Sequence, residues 1–141
     1  MKPQLKLIKL MDYKAEKIHE LTGLPREMYF NNRDRWAIWQ WQDKICKKIW
    51  EYIKDTLTML EDYYVIGLNG SVCPFCVKAK LDKRYNCKNC EYAKTHSLCN
   101  FYNNDYQTVK FELQQKRVYG ELTCGWYRSI VNQIEKEGSN E

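Results

Sequence analysis

Apolar residues recur every three or four positions along most of this chain, and that spacing predicts helices. Leu7, Met11, Ile18 and Leu21 line one face of a first amphipathic helix. Gly23 and Pro25 should end it, glycine by accepting a left-handed conformation and proline by refusing to continue the ladder. A longer second helix is predicted from about Asp34 to Glu61. Its main stripe is Ile38, Trp41, Ile45, Ile49, Ile53, Leu57 and Leu60, and Trp36, Trp39, Cys46 and Trp50 adjoin it. A face that wide suits a helix packed on two sides. Helical spacing resumes after Cys99. Asp105 is the expected N-cap of a helix whose Val109, Leu113 and Val118 face inward up to Gly120, and a last helix carries Tyr127, Ile130, Val131 and Ile134 to about Gly138.

The pattern breaks between Val72 and Cys99, after an Asn69-Gly70 turn signal. This stretch reads CPFC, ten residues, CKNC, five residues, His96, two residues, Cys99. Cys73 with Cys76 and Cys87 with Cys90 are two C-x-x-C pairs. Each pair can wrap two sulfurs around one side of a tetrahedral ion, and the ten-residue hairpin between them returns the second pair to the other side. Zn²⁺ is the expected occupant of a four-thiolate site, with an iron–sulfur cluster as the alternative. Six candidates are too many for one tetrahedron. If Cys90 opens a short helix, His96 and Cys99 lie three apart on one face, and Cys99 could replace one of the four. The order of expectation is Cys73 and Cys76, then Cys87 and Cys90, then Cys99, then His96, which otherwise reads as an ordinary polar helix residue. The fold expected is mainly α, one domain over 1–141. N-terminal helices span 1–65, a zinc-knuckle or zinc-ribbon-like hairpin module is inserted over 66–100, and C-terminal helices span 101–141.

CPFC after the apolar run YYVIGL also resembles a glutaredoxin active site, which implies a thiol-disulfide oxidoreductase. That resemblance covers Val65 to Lys80. The family's downstream proline has no counterpart, since the chain's only prolines are Pro3, Pro25 and Pro74. A second C-x-x-C eleven residues after Cys76 is better explained by a shared metal. The whole module resembles a pattern of small phage and prophage proteins, roughly CPLC…CxGCP…GxxC…TPY. Cys73, Pro74, Cys76, Cys87, Cys90, Cys99 and Tyr102 fall on it, while Asn89 and Glu91 replace its glycine and proline. This resemblance implies a metal-binding module in an accessory protein of a virus or mobile element.

Composition narrows the partners. Seven cysteines, an odd number, suit metal or chemistry in a reducing compartment more than a disulfide framework. With mean hydropathy of −0.71 and no long apolar run, no membrane association is expected. The start, MKPQLKLIKLMDYK, does not read as a signal peptide, so a cytoplasmic location is expected. Net charge is +5. Residues 71–100 carry six cations (Lys78, Lys80, Lys83, Arg84, Lys88, Lys94) against Asp82 and Glu91, a formal +4. Four thiolates and one Zn²⁺ would reduce this to +2. That is a mild basic patch. Lys78, Lys80, Lys83, Arg84, Tyr85 and Lys88 still form a hairpin suited to phosphate contacts and base stacking. Lys17 to Met28 resembles a helix-turn-helix around Thr22-Gly23-Leu24-Pro25, although helix capping explains Gly23 equally well. Catalytic motifs are missing: no phosphate loop, no H-E-x-x-H and no nucleophile elbow. Cys46 and Cys124 read as small core residues. The sequence thus points to a non-enzymatic zinc protein binding another protein, with nucleic acid as the alternative partner and thiol oxidoreductase as the alternative activity.

Overall fold

The computed structural model describes residues 2–30, 43–60, 70, 72–81, 86–116 and 124–138, and it is mainly helical. The first helix, α1 (Pro3–Thr22), starts with proline in its first turn, where no amide hydrogen is needed. It buries Leu7, Leu10, Met11, Lys14, Ala15 and Ile18, a stripe at three- and four-residue spacing. It ends where the sequence predicts: Gly23 takes φ 76° and its amide donates to the His19 carbonyl at 2.8 Å. Pro25 then leads into a short 3-10 turn, Arg26–Met28. That turn, with Arg26 clamped by Glu16 on α1, stands where a helix-turn-helix would begin its second helix.

Helix α2 (Asp43–Leu60) packs on α1, and α6 (Cys124–Gly138) packs on both. Cys46, Ile49, Trp50, Ile53 and Leu57 of α2 are buried as expected, but Ile45 is exposed. The predicted stretch of α2 before Asp43, including Trp36, Ile38, Trp39 and Trp41, lies outside the described residues, as does Val118. So does the side chain of Cys124. Glu135 of α6 joins three helices: it accepts from Lys6 of α1 at 3.1 Å and from the Trp50 indole of α2, and Lys54 of α2 lies 3.8 Å away.

The cysteine-rich region is helical wherever it is described. It comprises α3 (Pro74–Leu81), a 3-10 turn at Cys87–Asn89, and α4 (Glu91–His96). Lys78 and Lys80 therefore stand on a helix rather than on a hairpin arm, and among the described residues there is no strand. The region also shares the main core. Val72, Cys73, Phe75, Val77 and Tyr92 are buried in the same cluster as α1, α2 and α6, with α3 against α2. Helix α5 (Asp105–Lys116) closes the bundle with Tyr106, Val109 and Leu113 inward. Its N-cap is Asn104, not Asp105: the Asn104 Oδ1 accepts from the Tyr106 amide at 2.8 Å.

Candidate metal centre

Helix α3 begins at the first cysteine. Cys73 precedes Pro74, and its carbonyl accepts the first helical bond, from the Val77 amide, at 2.9 Å. Proline loses nothing in that first turn. Cys76 then lies one turn along, on the same side as Cys73. Cys90 repeats the arrangement at the head of α4, its carbonyl accepting from Lys94 at 3.2 Å. Cys87 opens the intervening 3-10 turn, capped by Asn86. Cys99 lies beyond α4, which stops at His96 because Ser97 turns to φ 68°. His96 and Cys99 are thus not on one helical face, as a continued helix would have made them.

All five of these cysteines line one cavity, whose other walls are Phe75, Ala79, Tyr92, Ala93 and Tyr106. Its volume is about 30 Å³, room for an ion or a water rather than an organic substrate. Among the described residues, no three His, Cys, Asp or Glu side chains converge as closely as a coordination sphere requires. The donors are all thiols, the chemistry that selects zinc, copper(I) or iron–sulfur clusters over harder cations, so the residue types suit such a group, and the thiols would have to draw closer together to hold it. His96 does not line the cavity. Its ring stacks on Tyr92, centroids 4.1 Å apart, and Nδ1 lies 2.7 Å from Thr95 Oγ1.

A buried lysine, Lys14, acts on Cys73 from outside the cavity lining. Cys73 is buried, 3.7 Å from the Tyr29 hydroxyl. A hydrogen bond from Cys76, and the charge of Lys14 against the opposing effect of burial, pull the Cys73 thiol down to about 5. Lys14 is itself fully buried, its ammonium 5.0 Å from the Tyr29 ring and 5.3 Å from the Tyr127 ring. Burial pushes it down to about 8, while Cys73 and Cys76 oppose that. The Cys76 thiol is pushed up by its bond to Cys73 and by burial, and burial also raises Cys90, to about 11, and Cys99.

Sequence reasoning missed three supports of this site. Lys14 occupies a core-stripe position, three after Met11 and four before Ile18, which was the available signal. Tyr29, Phe75 and Tyr92 form a chain of ring contacts behind Cys73, with centroids 5.9 and 5.6 Å apart. Asn104 is buried, donates to the His96 and Ser97 carbonyls and lies 3.2 Å from the Tyr92 hydroxyl, which also reaches the Met28 carbonyl. With Gln107 bonded to the Cys99 carbonyl, it fixes the loop that carries Cys99.

Of the predicted nucleic-acid contacts, Lys83, Arg84 and Tyr85 lie outside the described residues. Lys78 and Lys94 both bond to Glu91, at 2.8 and 3.2 Å, and Lys80 bonds to the Gly70 carbonyl at 3.0 Å. Lys88 is exposed on the 3-10 turn. No described helix is long and apolar enough to cross a membrane. A scan against protein-family models, a search of curated proteins and a search of solved structures each returned no match to this chain.

Proposed function

We propose that this chain is a small zinc-binding protein whose metal is structural and which acts by binding another protein, in a regulatory or inhibitory role. The observation that carries this reading is the meeting of five cysteines, from three successive segments, around one ion-sized cavity. When bound, zinc would cross-link α3, the head of α4 and the loop after it. Such a centre contributes folding free energy directly, on the order of 10 kcal/mol in small finger peptides. A four-thiolate zinc leaves no open position for substrate, which favours binding over catalysis.

The engagement of Lys78, Lys80 and Lys94 inside the chain favours a protein over a nucleic acid as partner, because phosphate contacts would have to compete with those bonds. Phe101, Tyr102 and Phe111 are exposed on and after the same loop, Tyr102 completely. Exposed aromatics of this kind are the residues protein partners most often bury. The resemblance of the cysteine pattern to small phage proteins favours an accessory role in a virus or mobile element.

The test is removal of the metal. A strong chelator should release one zinc per chain, make the cavity thiols titratable and collapse the tertiary packing. A chelated protein that keeps its melting temperature would sink the structural role. In parallel, DNA and RNA oligonucleotides at physiological salt should bind more weakly than micromolar. Tighter, salt-dependent binding would replace the protein partner with nucleic acid.

A further inference from the structure

Five thiols face a cavity that a single tetrahedral ion would fill with four. The spacing alone favours the two C-x-x-C pairs. The packing favours a different four. Cys73 is part of the buried core, and Cys76, Cys90 and Cys99 are half-buried and packed against it. Cys87 is exposed.

Backbone anchoring differs in kind. Cys73 and Cys90 each accept the first bond of an α-helix, Cys76 rides on α3, and the Cys99 carbonyl is held by Gln107, whereas the Cys87 carbonyl accepts the 3.3 Å bond of a single 3-10 turn from the Cys90 amide. Cys87 sits on a 3-10 turn whose three residues are all exposed.

We infer that the metal is held by Cys73, Cys76, Cys90 and Cys99, and that Cys87 remains a thiol at the rim. This rests on the zinc reading above. It makes α4 and the loop after it, rather than the CKNC knuckle, the second arm of the site.

The experiment loads the full chain with Co²⁺, whose thiolate charge-transfer absorption scales with the number of sulfur ligands, and repeats this for five single Cys→Ser variants. Cys87→Ser should keep the four-sulfur spectrum and bind within about threefold of wild type. Cys99→Ser should lose part of that absorption and about 100-fold or more in affinity, a ligand loss at least as large as that of a supporting residue. The reverse result, with Cys87→Ser impaired and Cys99→Ser intact, would overturn the assignment while leaving the metal reading standing. Absence of any thiolate–cobalt band in wild type would instead remove the metal reading itself. Iodoacetamide mapping of the zinc-loaded wild type needs no variant to fold. Rapid alkylation of Cys87 with protection of the other four supports the inference, and protection of Cys87 with alkylation of Cys99 contradicts it.

Discussion

Replacing Asn104 by alanine should destabilise the protein by about 3 kcal/mol. Three bonds of Asn104 set that figure, since the Tyr92 hydroxyl, which also meets Oδ1, keeps the Met28 carbonyl as a partner. Its Oδ1 caps α5 through the Tyr106 amide, and losing such a cap costs about 1 kcal/mol. Its amide nitrogen donates to the His96 and Ser97 carbonyls, and stranding each of these part-buried acceptors costs about 1 kcal/mol at the low end of the range. With a urea m-value of about 2 kcal/mol/M, the denaturation midpoint should fall by about 1.5 M. The sharper variant is Asn104→Asp. Aspartate keeps the capping oxygen and gains about 0.5 kcal/mol from the positive helix end. It loses both donors and sets a carboxylate against two carbonyl oxygens. Asn104→Asp should therefore be at least as unstable as Asn104→Ala at neutral pH, and it should recover in part below about pH 4, where the carboxyl protonates. Urea denaturation of the three proteins at pH 7 and pH 4 measures this. An aspartate variant as stable as wild type at pH 7 would refute the donor role and reduce Asn104 to a simple cap.

Gly23→Ala should lose about 1 kcal/mol, read by thermal denaturation. An added Cβ would meet nothing within 4 Å, so the whole loss is the strain of φ 76° on a side-chain-bearing residue. Glu135→Gln should lose about 1 kcal/mol at pH 7, since it weakens the contacts with Lys6, Trp50 and Lys54. Burial opposes the Glu135 charge, but the Trp50 and Lys6 hydrogen bonds and the two lysine charges hold its carboxyl below the ordinary 4.5. Its contribution is therefore complete above pH 4.5 and fades as pH falls through the lowered value, so wild type and variant should converge in acid. A deficit that persists unchanged in acid would assign the loss to packing instead.

The helices with clean periodicity were legible. Leu7, Met11 and Ile18 read as a buried face, and Gly23 as the stop, because amphipathic spacing and left-handed glycine are local properties. The cysteine region was not legible as helix. In α3 the buried residues Pro74, Phe75, Val77 and Ala79 spread over more than one face, and Val77-Lys78-Ala79-Lys80 alternates with the period of a strand, so no helical period stands out. Helix α4 has only six residues, too few for periodicity to show. Asn104 and Asp105 are both good caps one residue apart, and only the carbonyls of His96 and Ser97, which ask for a donor, decide between them. Ile45 belongs to the apolar stripe by spacing but falls at its edge, where the described residues leave it exposed. The cysteine spacing named the five thiols around the cavity. It ranked Cys87 ahead of Cys99, although Cys87 is exposed and Cys99 half-buried, because spacing carries no depth and depth is set by how α3 and α4 pack on the core.

The most direct measurement is the metal content of protein purified without chelator, combined with sulfur-edge X-ray absorption on the same sample. One zinc per chain with zinc–thiolate sulfur is the predicted result. Iron with sulfide would keep the site and change its occupant. A folded, metal-free protein with all seven cysteines titratable as thiols would contradict the account.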